Sequence, residues 1–375
     1  MELCGGDVAG SYCARLLRSI GFRVVKVEPP GGDPIRGTGP LLGDGTSALF
    51  HYLNAAKESV VGGRPRDGGL ALDLVDAADV VILAADGDAD AVDADQRWIA
   101  ERRPSCVRVV VSPFGLTGPY RNEPHIDLTD WAASGYMFIT GDADKEPLQG
   151  GAPFPAYTTG LTAAIGAMAC WRDARAGGPG RLVDVGTFES MAALHQFTIT
   201  VYSHTGFIKR RAGNRHADAH HPVAFLECAD GWVCICAPAA DQWRRLTELA
   251  GVPELAADPR FVTPGDRYEN ADAADAALRP WLMAHSAADV AARLQEARVP
   301  ASPVVDLSAV LTDEHVRARG FFHDVDIAGA VLPMPGSTVS VGDPVPWSAA
   351  PGLGEHTDAV ATDLAARAAL AGGRS

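Results

Sequence analysis

A chain of 375 residues is longer than one hydrophobic core usually serves, so two domains are expected. With 47% hydrophobic and 21% charged residues it is globular rather than disordered. A net charge of −15 disfavours nucleic acid and anionic membranes as partners; no stretch reaches membrane-spanning length, and Met1-Glu2-Leu3-Cys4 is not a secretion signal.

The opening reads strand, glycine turn, helix, strand. Leu3 leads into Gly5-Gly6-Asp7-Val8-Ala9-Gly10, a helix is expected over 14–20, and residues 22–28 alternate as a strand. The glycine spacing does not match the G-x-G-x-x-G fingerprint of dinucleotide sites. Lys26-Val27-Glu28-Pro29-Pro30-Gly31-Gly32-Asp33-Pro34-Ile35-Arg36 then forms a proline- and glycine-rich corner, which Asp33 and Arg36 either brace or open to a ligand. Asn54, Lys57 and Ser59 follow on one segment, with Arg64 and Arg66 in the loop beyond it. Seven cysteines, an odd number in mostly apolar context, read as buried thiols in a reducing cytoplasm. They lack the paired spacing of a zinc site, so no metal is expected.

A buried strand over 80–83 gives way to five aspartates, at 86, 88, 90, 93 and 95, read as an acidic loop. The strand over 107–111 ends in Ser112-Pro113-Phe114-Gly115-Leu116-Thr117-Gly118-Pro119, and a helix is expected over 127–135, with His125 just before it. Residues 158–171 are small, apolar and uncharged, suited to a closely packed helix; a Gly-Gly-Pro-Gly turn and a strand through Leu182, Val183 and Val185 follow. An apolar helix carrying His195 is expected over 190–201. His216, His220 and His221 lie in a basic stretch read as a solvated linker rather than a metal site. A hairpin around Ala229-Asp230-Gly231 opens a smaller domain, with helices over 241–249, 271–283 and 287–297. Asp258-Pro259-Arg260-Phe261, Val299-Pro300-Ala301-Ser302-Pro303-Val304 and Leu353-Gly354-Glu355-His356-Thr357 are the last distinctive segments.

Taken in order, these segments resemble the family III CoA-transferases, the group of formyl-CoA transferase, carnitine CoA-transferases and α-methylacyl-CoA racemases. The resemblance implies an α/β fold with a nucleotide-binding-like large domain and a smaller α+β domain, two chains interlocking as rings. Expected boundaries are 1–204 for the first part of the large domain, 205–224 for a linker, 225–304 for the small domain and 305–375 for the return. It also implies coenzyme A or an acyl-CoA as substrate with a small carboxylic acid, and candidate contacts to CoA at Val8, Ala9, Arg36, Lys57 and Arg64.

In that family an aspartate four residues before the glycine that here is Gly160 attacks the thioester; this chain has Ala156 there. A methyl group cannot serve as the nucleophile of covalent catalysis. The racemases place a histidine directly before the aspartate matching Asp127, whereas His125 falls one residue earlier. The acidic residues 86–95 are a second departure, since they oppose the phosphates of CoA. Three readings stay open: a CoA-transferase whose aspartate was replaced, a non-catalytic subunit pairing with an active paralogue, and another reaction, such as proton transfer by His125. The expected assembly is a homodimer or a heterodimer with a related chain.

Overall fold

Alternation of buried positions along the strands decides the architecture. Val80, Ile82, Val107, Val109 and Val111 belong to one apolar cluster, while Val81, Leu83 and Val110 belong to another. Both faces of these strands are therefore covered, as a parallel sheet requires. The computed structural model describes residues 1–85, 87–216, 220–339, 342 and 345–372.

Six strands, β1 (Glu2–Leu3), β2 (Val25–Glu28), β3 (Glu58–Val61), β4 (Val80–Ala84), β5 (Val107–Ser112) and β6 (Leu182–Gly186), form one sheet in the order β3-β2-β1-β4-β5-β6. Every pairing is parallel. The crossovers carry α1 (Val8–Ser19), α2 (Ala48–Asn54), α3 (Gly69–Ala77), α4 (Ala89–Arg102), α5 (Asp127–Ala133), α6 (Tyr136–Ile139) and α7 (Phe154–Arg175). This strand order is the doubly wound arrangement, in which the chain reverses direction between β1 and β4.

Helix α7 is the small-residue run of the sequence, and its composition permits close packing. A Cβ on Gly160 would lie 2.5 Å from the Ala9 carbonyl oxygen and 3.1 Å from the Cys13 nitrogen. The backbones of α1 and α7 touch where no side chain intervenes, and Ala163, Ala164 and Ala167 continue the contact toward the sheet.

The chain divides into two compact units. The first comprises Met1–Ser134, Gly151–His195 and Asp313–Ser375, the second Gly135–Gly150 and Gln196–Thr312. After α8 (Thr187–Ala193) and α9 (Gln196–Thr205), the second unit holds the antiparallel sheet of β7 (Val223–Glu227), β8 (Trp232–Cys236) and β9 (Ala301–Pro303). Helices α10 (Ala240–Leu249), α11 (Pro264–Glu269), α12 (Ala271–Met283), α13 (Ala287–Glu296) and α14 (Leu307–Thr312) accompany it. Its core joins Val233 and Ile235 of β8 to Trp243, Leu246, Leu278 and Leu294. The first unit resumes with α15 (Glu314–Ala318) and the hairpin of β10 (Phe322–Ile327) and β11 (Ala330–Pro335). It ends in α16 (Thr357–Gly372), whose Val360 packs with Val25, Val27 and Val60.

Two local expectations are corrected. The helix expected over 190–201 is broken at Leu194 and His195 into α8 and α9. His195 there donates from Nε2 to the Ser134 carbonyl, 2.7 Å away, a bond made at the break. The aspartates at 88–95 form the start of α4 rather than a loop; Asp88 caps it by accepting from the Ala91 N–H, and Asp90 sits in the first turn. Acidic residues at a helix N-terminus are favourable, so the same residues that read as repulsion are a start signal. Asp86 lies outside the described residues. All seven cysteines are free thiols, but only Cys4, Cys13, Cys106 and Cys228 are buried as expected; Cys170, Cys234 and Cys236 are half-buried.

Candidate active site

In a sheet of this order, ligands are held by the loops leaving the strand ends where the chain reverses. The loop after β1 runs directly into α1. Asp7 caps that helix, its Oδ1 accepting from the Gly10 N–H at 2.5 Å, and Val8 and Ala9 form the first turn. Ala9 is buried and Val8 half-buried, so this turn presents little more than backbone.

Because Gly160 rests against Ala9, the N-terminal turn of α7 stands beside that of α1. Pro153 is its cap and offers no side-chain acceptor, and the first turn carries no acidic residue. Ala156 is its third residue, half-buried, with its methyl against the cluster that contains Ala9 and Cys13. The first turn itself therefore holds no carboxylate to match the partial positive charge of a 22-residue helix. Tyr157 follows, its ring 4.8 Å from that of Tyr12 and 6.1 Å from that of Tyr52. Burial, then the neighbouring phenols of Tyr52 and Tyr12, push the Tyr157 hydroxyl up to about 12, so it stays a hydrogen-bond donor at neutral pH. Trp131 of α5 stacks on Phe154 at 5.6 Å and closes the other side of the turn.

Below this turn lies a buried ion network. Glu2 is bound by Lys26 and Lys57, each at 2.7 Å, and Lys26 also meets Asp33 at 2.5 Å. Lys57 donates further to the Ser11 carbonyl and the Asn54 amide oxygen. Burial raises the Glu2 carboxyl, but the two ammonium groups outweigh it and hold it at about 2. Burial dominates at Lys57, which falls to about 8 in spite of Glu2. Asp33 Oδ1 accepts from the N–H groups of Gly6 and Ile35, tying the glycine turn after β1 to the proline corner after β2.

The proposed CoA contacts thus differ in what they can offer. Lys57 is enclosed by its partners and has no exposed side-chain surface. Arg36 grips Glu28 at 2.7 and 2.8 Å, donates to the Pro351 carbonyl and covers the Phe50 ring, so it braces the corner while remaining one-quarter exposed. Arg64 is exposed and has no side-chain partner among the described residues. The acidic segment is largely neutralised: Asp90 pairs with Arg121 at 2.5 Å, Asp93 with Arg97 and Asp95 with Arg66, both at 2.7 Å. Its expected opposition to phosphates is reduced accordingly.

His125 stands just before α5 with Nδ1 3.0 Å from the buried Asp130 carboxylate. The pair fixes the imidazole as general bases often are fixed. His221, expected to be solvated, is fully buried with Nε2 2.9 Å from Asp275. A partner so far along the chain leaves no local mark in sequence. Tyr12 and Tyr52, brought beside Tyr157 from α1 and α2, escaped notice for the same reason. Among the described residues no group of three or more metal-binding side chains gathers, and no helix is long and apolar enough to cross a membrane.

Comparisons with known proteins agree on one relationship. The family model described as CoA-transferase family III matches residues 4–357. The succinyl-CoA:mesaconate CoA-transferase of Haloarcula hispanica is 33% identical over 364 residues, 93% of this chain and 91% of that one. The alpha and beta subunits of the succinyl-CoA–L-malate CoA-transferase of Chloroflexus aurantiacus strain J-10-fl are 29% and 27% identical. They match 91% and 95% of this chain and 79% and 91% of their own lengths. A solved structure of a CaiB/BaiF family protein from Brucella suis superposes with a TM-score of 0.83 at 29% identity, covering 97% of both chains.

Proposed function

The chain belongs to CoA-transferase family III, and we propose that it binds a CoA thioester and a small carboxylic acid but lacks, at Ala156, the group that would carry the transfer. The observation behind this reading is the place of Ala156: the first turn of a long helix, beside the α1 turn at the reversal of the sheet, with no acidic residue in that turn.

The transfer chemistry of the family requires a carboxylate to attack the thioester carbonyl. CoA thiolate leaves, a mixed anhydride forms, the thiolate returns to give an aspartyl-CoA thioester with release of the first acid, and the second acid takes the CoA. The residues around position 156 suit the ends of this sequence. Val8 stands half-buried on the first turn of α1, Tyr157 supplies a neutral donor, the helix end favours negative charge, and Arg64 is a cation on offer to the nucleotide phosphates. Arg36 and Lys57 shape that surface from beneath. Succinyl-CoA as donor and a dicarboxylic acid as acceptor are suggested by the names of the relatives.

A second reading follows from the relatives that are named as subunits. The chain then serves as the non-catalytic partner in a dimer with an active relative, interlocked as the family resemblance implies, in the cytoplasm. A third, proton transfer by His125, draws on its pairing with Asp130. Calorimetry with CoA and succinyl-CoA, paired with an exchange assay on the same preparation, tests the first reading. It expects binding without turnover. Turnover by the purified chain with Ala156 in place contradicts it, and turnover only in company with a co-purifying relative points to the subunit.

A further inference from the structure

The first unit contains a cavity of about 440 Å³ that plays no part in the site described above. It lies where α15, β10 and the segment before α16 meet the C-terminal end of α1, whereas the candidate active site uses the N-terminal end of that helix. Its size is in the range that holds a drug-sized ligand, about 300–1,000 Å³.

Its chemistry runs against the rest of the chain. On a molecule of net charge −15, the described residues that line this cavity include Arg319, His315 and His323 and no carboxylate. Arg319 and His315 are exposed and have no side-chain partner among the described residues. Most other arginines of the first unit are committed to an acid or a carbonyl, as Arg23, Arg36, Arg66, Arg97 and Arg102 are. The lining also includes the Trp347 side chain. Trp347 is fixed there between two neighbours, with the His323 ring stacked at 5.8 Å and 26° and the Arg15 guanidinium 4.5 Å from its centre. Arg15 is itself held by the carbonyls of Tyr52 and Pro335, so the indole plane is preformed rather than assembled on binding. Phe321 and Val345 continue the apolar lining.

We propose that this cavity binds a small organic anion with an apolar body, its carboxylate or phosphate on the Arg319 fork and its body beside Phe321, Val345 and Trp347. A guanidinium fork matches either oxyanion bidentately, and the apolar wall discriminates against inorganic ions. The proposal stands independently of what happens at Ala156.

Calorimetric titration of the full chain with benzoate, phenyl phosphate and the neutral benzyl alcohol tests it. The expected result is saturable binding of at least one of the two anions, one per chain, with no comparable binding of benzyl alcohol. Arg319→Ala weakens that binding about tenfold or more, and Arg97→Ala on α4 leaves it unchanged. The stronger anion identifies the head group. Because Arg319 is exposed, its removal leaves thermal unfolding unaltered, which separates a lost contact from a lost fold. Failure of both anions to bind saturably, equal binding of benzyl alcohol, or an affinity unmoved by Arg319→Ala overturns the proposal.

Discussion

Glu2, Asp33, Lys26 and Lys57 are buried together with charges that cancel. Such a group tolerates burial only as a whole, because deleting one member strands the others. Lys57→Met is therefore expected to destabilise the chain by about 3–5 kcal/mol, seen in urea as a lower midpoint with an unchanged slope. The same network sets an acid limit. The Glu2 carboxyl, held at about 2 against an ordinary 4.5, contributes stability that is complete above the unfolded value. That contribution is lost as pH falls through the folded value, so urea titrations between about pH 4.5 and 2 should show a decline of a few kcal/mol. A decline confined to pH above 5 would place its origin elsewhere. None of this was legible from spacing, since Glu2 and Lys57 approach only once β1, β2 and β3 have paired.

At the level of elements, the crossing of α1 and α7 governs the geometry around position 156. Gly160→Val introduces atoms where the Ala9 and Cys13 backbones already sit, and backbone does not yield as a flexible side chain does. The expected cost is about 1–3 kcal/mol in urea unfolding, accompanied by weaker CoA binding because the α1 turn is displaced. Loss of stability with CoA affinity intact would detach that turn from the nucleotide site. The helical character of residues 158–171 and the following turn and strand were readable from small-residue composition and glycine placement. The start of α4 was not, because aspartates were weighed as charges against a phosphate and not as caps. The break at His195 was hidden too, since it depends on a hydrogen bond to Ser134 in another helix's end.

Over the whole molecule, the ordered series of segments from the proline corner to Leu353-Gly354-Glu355-His356-Thr357 made the family recognisable, and the doubly wound sheet and family match bear that out. What sequence could not supply was the state of each candidate cation. Lys57 and Arg36 are engaged within the chain, which leaves Arg64 as the exposed one. On the proposed reading, Arg64→Ala weakens CoA binding about tenfold and flattens its dependence on salt, while fragments of the ligand that lack its phosphates show no such difference. Equal affinities for both forms of the protein would remove Arg64 from the site.

The central claim, that position 156 is where a transferring carboxylate belongs, is tested most directly by Ala156→Asp. Exchange of CoA from succinyl-CoA to a panel of dicarboxylic acids should be absent in the parent chain and appear in the variant, together with inactivation by hydroxylamine during turnover. Equal exchange by parent and variant, insensitive to hydroxylamine, would contradict the account.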